Sequence, residues 1–320
     1  MPPLTERLDL ADVTLRALGA GAELPAKIGV HPRQPGSLAH AMPALLRGSV
    51  AGEGAAGRGT GDGREDLIGV KWIVGFPHNP AVGLPTYHAL VILNDATTGL
   101  PLAVMDAGTI TAHRTAAGSG AAIALFGPKS GGATVALLGA GVQARGHLPV
   151  IGRLLAGASV RITDVDGARA EAVAAEARST DGIAAAAVAP DVRRAVEGAD
   201  VVVSVVSFGP EQQTLDPGWL GADTLFVAVD YDMQAPAALA REALFVVDER
   251  DQFLATRASG SFAGYPDPAA TLGEALRDGL ARPAGRVLVS HLGVGLADVV
   301  FASAILKRAE QLGLGVLLPR

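Results

Sequence analysis

Cysteine is absent from this chain of 320 residues. Its absence excludes disulfide bonds, a thiolate nucleophile and a zinc ion held by cysteine. The seven histidines show none of the spacings that are typical of metal ligands, and we therefore expect no metal site. They stand at positions 31, 40, 78, 88, 113, 147 and 291.

Charge is also scarce, since Asp, Glu, Lys and Arg make up 18% of the chain and the net charge is −6. The basic residues are scattered, which gives no electrostatic reason to expect nucleic acid or an anionic membrane as a partner. The longest apolar runs, such as Val201–Val206, fall far short of the roughly 20 residues that span a bilayer. Met1–Arg7 lacks the apolar core of a secretory signal, so we expect a soluble, cytoplasmic protein.

Apolar residues are abundant at 49%, and the length allows two domains. Before Thr111, three short segments predict strands of a small sheet, namely Gly69–Val74, His88–Asn94 and Leu102–Asp106. The segment Ser49–Asp66 contains six glycines among its 18 residues. This composition predicts a mobile loop.

From Thr111 onward the pattern changes to an alternation of helices and strands. Thr111–Phe126 predicts a helix, and Ala133–Leu138 a buried strand that is followed by the helix Ala144–Leu155. Further strands are predicted at Ser159–Thr163, Asp200–Val206, Thr224–Val229 and Leu244–Val247, and further helices at Ala168–Arg178 and Ala297–Leu312. Such alternation indicates an α/β fold with a doubly wound parallel sheet.

A glycine-rich turn, Gly139-Ala-Gly-Val-Gln-Ala144, joins the first of these strands to its helix. Gly139 permits the tight turn, Gly141 lets a pyrophosphate approach the backbone, and Ala144 lets helix and strand pack closely. The free N–H groups at the helix start favour a negative ligand. We therefore predict a Rossmann unit in which Gly139, Gly141, Val142, Gln143 and Ala144 bind a dinucleotide; the alternative is a tight turn without a cofactor.

Asp164 follows the second strand, 25 residues after Gly139. At this spacing a carboxylate typically accepts hydrogen bonds from the ribose hydroxyls, and it would repel a 2′-phosphate. Val165 and Asp166 come next instead of an arginine, so the sequence favours NAD over NADP. The alternative is that Asp164 is a solvated turn residue.

Several segments together resemble the ornithine cyclodeaminase/mu-crystallin family. They are Val70–Pro80, Gly83–Thr86, Ile110–Ala117, the glycine-rich turn, Ala228–Asp232 and Gly293–Asp298. The resemblance extends from about Met42 to near the C-terminus. It implies a homodimer with a smaller α+β domain for substrate binding and dimerisation at residues 1–113, completed by 297–320, and a Rossmann NAD-binding domain at residues 114–296.

The resemblance also implies roles for individual side chains. Lys71, Arg114 and Thr86 are expected in the substrate pocket, where the planar Arg114 can clamp a carboxylate and Lys71 can hold it or polarise an imine. Asp232 is expected to transfer protons. The alternatives are purely structural roles. Arg114 would then be a surface arginine, Lys71 a lysine whose aliphatic part alone is buried, and Asp232 an acid in a turn.

This sequence departs from the family pattern at two places that bear on the substrate. Asp230 and Tyr231 replace two small residues before Asp232, and Ala238-Leu239 stands where the family has Glu-Leu. The N-terminal arginine that binds carboxylate in several members has two possible counterparts, Lys27 and Arg33. The resemblance further implies that Ser207, Val294 and Asp298 lie near the nicotinamide half of the cofactor.

Three functions follow as hypotheses. The first is an ornithine cyclodeaminase-type reaction, in which a small L-amino acid is oxidised to an imine, cyclises with loss of ammonia and is reduced again by the same cofactor. The second is an amino acid dehydrogenase or cyclic imine reductase with net hydride transfer. The third is a ligand binder like mu-crystallin without catalysis.

Overall fold

The computed structural model describes residues 1–48 and 66–318. The chain divides into two compact units, of which the first comprises Met1–Arg114 and Val294–Arg320 and the second Thr115–Gly293. The sequence placed the two boundaries after residues 113 and 296.

Residues 49–65 of the predicted loop lie outside the described part of the chain. At its end, the Asp66 carboxylate accepts a hydrogen bond from the Gly48 N–H at 2.8 Å. None of the described helices is long and apolar enough to cross a membrane.

The first unit contains a five-stranded antiparallel sheet in which the strands follow sequence order. The strands are β1 (Ile28–Val30), β2 (Leu38–Leu46), β3 (Leu67–Gly75), β4 (Tyr87–Asn94) and β5 (Pro101–Asp106), preceded by helix α1 (Leu4–Gly19). Side chains alternate between the faces, since Ala89, Val91 and Leu93 are buried while Leu90 is exposed. Helix α2 (Gly108–Phe126) follows, and the division between the units lies within it.

The second unit contains an eight-stranded sheet in which every pair of neighbouring strands is parallel. Its strands are β6 (Thr134–Leu138), β7 (Ala158–Thr163), β8 (Ile183–Val188), β9 (Val201–Ser204), β10 (Leu225–Ala228), β11 (Leu244–Val247), β12 (Ala270–Thr271) and β13 (Val287–Ser290). Its helices are α3 (Val142–Leu154), α4 (Gly167–Arg178), α5 (Val192–Val196), α6 (Ala237–Glu242), α7 (Arg250–Ala258) and α8 (Leu272–Asp278).

The strand order in this sheet is β12-β11-β13-β10-β9-β6-β7-β8. The order reverses direction at β6, which lies between β7 and β9, and ligands of open α/β sheets bind at such a reversal. The predicted α/β class, with a Rossmann-like parallel sheet and a separate smaller domain, is confirmed.

The final helix, α9 (Gly295–Gln311), belongs to the first unit and packs on β2, β3 and β4. A Cβ on Gly295 would lie 2.6 Å from the Met42 carbonyl oxygen, so this glycine permits the close approach of helix and sheet. Residues Gly295–Ala302 are all buried. The helix therefore covers one face of the five-stranded sheet along its first two turns.

Some elements were not predicted. The edge strand β8, with the sequence Ile-Ala-Ala-Ala-Ala-Val, has β-branched side chains only at its two ends, and the four alanines between them do not favour a strand. The strand predicted at Asp200–Val206 is shorter, because β9 ends at Ser204. Residues 1–48 were left without assigned elements, although they form α1, β1 and β2.

Candidate functional site

The first unit buries a cluster of three charged side chains. Lys71 on β3 places its Nζ 2.6 Å from Asp298 Oδ2, and Arg114 on α2 places its Nε 3.1 Å from Asp298 Oδ1. Lys71 is 1% exposed, Arg114 8% and Asp298 0%. We call these three residues the buried ion cluster. The sequence had placed Asp298 in the cofactor segment, whereas the structure pairs it with both predicted substrate-binding cations.

The buried ion cluster contains two basic side chains and one carboxylate. The pKa of Lys71 is lowered to about 7, mainly by burial and then by the charge of Arg114, while Asp298 opposes the shift. A buried charge is costly unless it is paired. With Lys71 charged the cluster has a net positive charge, and a bound anion would balance it.

Lys27 is the N-terminal cation that acts on this cluster. Ile28 pairs with Ala41 and Met42 pairs with Lys71, so Lys27 lies just beyond β1 on the other side of Met42. The charge of Lys27 contributes to the lowered pKa of Lys71. Of the two alternatives that the sequence left open, this interaction between charges favours Lys27.

His40 on β2 is part of the same basic environment. Burial lowers its pKa to about 4, and the charges of Lys27, His31 and Lys71 contribute in that order. His40 is therefore neutral near pH 7.

Two other predicted residues of the first unit occupy defined backbone positions. Thr86 precedes β4 and is half-buried, and its carbonyl oxygen accepts a hydrogen bond from the Phe76 N–H at 2.8 Å. Val294 is buried at the N-cap position of α9. Their proposed contacts with substrate and cofactor remain predictions.

In the second unit, the glycine-rich turn follows β6 at the reversal of strand order. Gly139 has φ +96°, and a Cβ there would lie 2.8 Å from the Val205 carbonyl oxygen, so the position requires glycine. Gly141 is the N-cap of α3, and no neighbouring atom lies within 4 Å of the place where its Cβ would be. That open space beside free helix N–H groups fits a pyrophosphate.

The other three predicted residues of the turn differ in their solvent exposure. Ala144 is completely buried, in agreement with close helix–sheet packing, while Val142 is 70% exposed and Gln143 is half-buried. The residues present therefore fit a dinucleotide at this turn.

Asp164 lies directly after β7 and is fixed by backbone donors. Its Oδ2 accepts a hydrogen bond from the Ala140 N–H at 2.7 Å, and its Oδ1 accepts one from the Asp166 N–H at 2.9 Å. The first donor belongs to the glycine-rich turn itself. The carboxylate predicted to bind ribose is thus held beside the turn predicted to bind pyrophosphate.

The two acids after β10 have different partners. Asp230 contacts the Ser204 hydroxyl, and burial raises the pKa of Asp230 to about 7. Asp232 is buried, and its Oδ2 accepts a hydrogen bond from the Phe262 N–H at 2.8 Å. Tyr231 between them has φ +61° and stacks on Phe262. The sequence identified Asp232 as the acid of interest and Asp230 as a departure from the family pattern, and the structure adds that burial is the main cause of the raised pKa of Asp230.

Ser207 lies in an irregular exposed segment, three residues after the end of β9. The residue at the end of that strand is Ser204, which pairs with Asp230. The proposed contact of Ser207 with the cofactor therefore stays a prediction.

A buried hydrogen-bond chain joins three side chains of the second unit. The Ser119 hydroxyl lies 2.8 Å from His147 Nε2 and 2.8 Å from His291 Nε2, and His147 Nδ1 lies 2.7 Å from the Gln143 carbonyl oxygen. Burial lowers the pKa of His147 to about 4, so its ring is neutral. His147 must donate from Nδ1 to the carbonyl, and it therefore accepts from Ser119 through Nε2. Ser119 in turn accepts from His291.

The fold and these residues define an α/β protein with a Rossmann-type unit and a second unit that buries an ion cluster. The model of the ornithine cyclodeaminase/mu-crystallin family matches residues 59–312, and the chain belongs to this family.

Three similar proteins illustrate the relationship. The nodulation efficiency protein NfeD of Rhizobium meliloti is 33% identical over 98% of this chain and 93% of its own. The structure of an archaeal alanine dehydrogenase dimer with bound NAD has a TM-score of 0.81 at 26% identity and covers 99% of this chain and 95% of that one. The Δ1-pyrroline-2-carboxylate reductase of Thermococcus litoralis, solved with NADH and L-proline, has a TM-score of 0.83 at 22% identity and covers 99% and 97%.

Proposed function

We propose that this protein is an NAD-dependent enzyme that acts at the α-carbon of a small L-amino or imino acid. The observation that carries the proposal is the buried ion cluster, in which Asp298 is paired with both Lys71 and Arg114. Because two basic side chains are paired with one acid, a ligand carboxylate can supply the second negative charge.

Arg114 and Lys71 would bind this carboxylate in different ways. Arg114 uses Nε toward Asp298, and its guanidinium has further N–H donors that can form a bidentate contact. Lys71 offers a compact charge, and its pKa of about 7 lets it gain or lose a proton near neutral pH. Thr86 is proposed as a further substrate contact.

The cofactor assignment is supported by the glycine-rich turn and by the alanine dehydrogenase structure with bound NAD. Gly139, Gly141, Val142, Gln143 and Ala144 would hold the pyrophosphate, with Asp164 on the ribose and Ser207 and Val294 nearer the nicotinamide. When bound, NAD⁺ accepts a hydride from the α-carbon, and NADH can return one.

An acid that follows β10 would transfer protons to and from the substrate nitrogen. We propose Asp232 as this catalytic group, since it matches the family's acid and follows a strand of the parallel sheet at its carboxyl end. Asp230 would tune it as a nearby carboxyl that is partly protonated near neutral pH.

The specific reaction that we propose first is ornithine cyclodeamination. Loss of hydride from the α-carbon gives an imine, which the distal amine attacks. Ammonia then leaves, and hydride returns to the cyclic imine to give proline. The residues of the buried ion cluster hold the carboxylate throughout, and Asp232 moves the protons.

The test is incubation of the protein with L-ornithine and a catalytic amount of NAD⁺, with proline and ammonia measured. We expect both products in equal amounts, and we expect Arg114→Ala to raise KM strongly because the carboxylate loses its clamp. Arg16→Ala, which removes an exposed arginine paired with Asp12, is the matched control. Absence of product with ornithine, lysine and diaminobutyrate would exclude the cyclodeaminase version.

Net hydride transfer is the second candidate, and the similarity to the alanine dehydrogenase structure favours it. In this case pyrroline- or piperideine-carboxylate, or pyruvate with ammonia, would consume NADH in stoichiometric amounts. A protein that binds these ligands but converts none of them would instead be a binder like mu-crystallin.

We also propose a homodimer that forms through the outer face of the five-stranded sheet. Trp72 on β3 and its register partner Leu90 on β4 are exposed, as is Val104 on β5. Such a continuous apolar face typically marks a protein interface. Light scattering should give the mass of a dimer, and Trp72→Asp should lower it to a monomer. Val165→Asp, at an exposed valine of the other unit, should leave the dimer intact.

A further inference from the structure

Arg169 lies beside Asp164, the acid that is predicted to bind ribose. The order of residues along the chain does not reveal that these two side chains meet. Arg169 lies in the first turn of α4, five positions after Asp164. Its Nη2 is 3.2 Å from Asp164 Oδ1, and its Nε is 3.0 Å from Asp166 Oδ2. The guanidinium therefore bridges two carboxylates at the end of β7.

The three side chains differ in how firmly they are held. Asp164 is 11% exposed and accepts two backbone hydrogen bonds, one of them from the glycine-rich turn. Asp166 caps α4 by accepting from the Ala168 and Arg169 N–H groups. The Arg169 side chain is 54% exposed, and contacts with the two acids are what hold it. Of the three, Arg169 is the one that can turn toward a ligand.

Charges of both signs lie at the end of β7, where the adenosine ribose of the cofactor would bind. An acid here favours the 2′-hydroxyl of NAD, and a nearby arginine accommodates the 2′-phosphate of NADP. Two carboxylates with one guanidinium leave a net negative charge, which disfavours a phosphate without excluding it. Arg169 also has further N–H donors with which it could bind a phosphate in a bidentate contact.

We propose that Arg169 is a cofactor-specificity residue that binds the 2′-phosphate of NADP(H), so that the protein accepts NADP(H) as a second, weaker cofactor. Asp164 and Asp166 maintain the preference for NAD(H), the first by accepting from the ribose and the second by competing for Arg169. This inference rests on the proposed function, because it assumes that the glycine-rich turn binds a nicotinamide dinucleotide.

The experiment is a titration of the purified protein with NADH and with NADPH, with binding followed by nicotinamide fluorescence and no substrate present. We expect NADH to bind more tightly than NADPH. Arg169→Ala should weaken NADPH binding by roughly tenfold, since hydrogen bonds between charged groups are of that strength. It should change NADH binding by less than about twofold, because a hydroxyl does not need the guanidinium.

Two further variants sharpen the test. Asp166→Asn keeps an N-cap side chain for α4 but removes a negative charge, and it should strengthen NADPH binding several-fold. Arg178→Ala is the matched control, since it removes an arginine from the other end of the same helix, where it pairs with Glu171. It should alter neither dissociation constant.

Competition with adenosine 2′-monophosphate and with inorganic phosphate separates a nucleotide site from a general anion site. We expect the nucleotide to displace NADPH from the unmodified protein far better than from Arg169→Ala. Equal displacement by inorganic phosphate, or an NADPH affinity that Arg169→Ala does not change, would overturn the inference while leaving NADH binding and the proposed function in place. If the unmodified protein binds neither dinucleotide, the proposed cofactor itself is wrong.

Discussion

Each unit buries a polar cluster, and the two clusters differ in how their groups are satisfied. In the first, Lys71, Arg114 and Asp298 combine two basic groups with one acid. In the second, the chain from Ser119 to His147 and His291 consists of hydrogen bonds that satisfy one another, and His147 is neutral. An internally satisfied network can serve structure alone, whereas an unbalanced one has a remaining capacity for an anion.

The largest effect should come from removing the acid of the unbalanced cluster. Asp298→Ala leaves Lys71 and Arg114 buried without their partner, and we expect the free energy of unfolding to fall by about 3–5 kcal/mol. Denaturant unfolding measures this loss. Asp12→Ala, which breaks an exposed pair with Arg16, should cost less than about 1 kcal/mol. If both variants lost a similar free energy of unfolding, the idea that burial makes an unpaired charge in the cluster strongly destabilising would be contradicted.

The hydrogen-bond chain of Ser119, His147 and His291 should be less sensitive to substitution than the buried ion cluster. Ser119→Ala removes the hydroxyl that joins the two histidines, and leaving buried ring nitrogens without a partner costs about 1–3 kcal/mol. The same unfolding measurement applies, with Ser179→Ala, an exposed serine at the end of α4, as the control. A loss as large as that of Asp298→Ala would show that the contrast between the units is mistaken.

The pH dependence of ligand binding should follow Lys71. Its pKa of about 7 means that the free site is charged below this pH and increasingly neutral above it. A bound carboxylate favours the charged lysine, so binding above pH 7 must take up a proton, and affinity falls as pH rises. Calorimetry with L-proline and saturating NADH should show a loss of roughly tenfold between pH 7 and 8.5. Lys71→Arg, which stays charged, should remove the slope; an unchanged slope would assign it to another group.

The smallest effect on stability is expected at Gly141 of the glycine-rich turn, and a comparison with Gly139 separates an effect on folding from an effect on binding. Gly139→Ala places a Cβ against the Val205 carbonyl oxygen at positive φ, and it should cost more than about 1 kcal/mol. Gly141→Ala meets open space, so it should change stability by less than about 0.5 kcal/mol while it weakens NADH binding strongly. Equal NADH binding in the Gly141 variant and the unmodified protein would contradict a pyrophosphate at this position.

The sequence by itself determined the features that depend on neighbours in the chain. Helix and strand periodicity indicated the parallel sheet, and the Gly139 turn could be recognised because a tight strand-to-helix turn needs glycine within a few residues. Lys71 and Arg114 were singled out by the resemblance to the family, which is carried by short segments of the sequence around each of them.

The tertiary structure alone decided which of these residues meet. Asp298 pairs with Arg114 across 184 positions, and no local pattern encodes that distance. Helix α4 brings Arg169 back to Asp164, although the residues directly after Asp164 had argued against an arginine there. The raised pKa of Asp230 likewise comes from burial, since an acid in a sequence has no defined solvent exposure until the chain has folded around it.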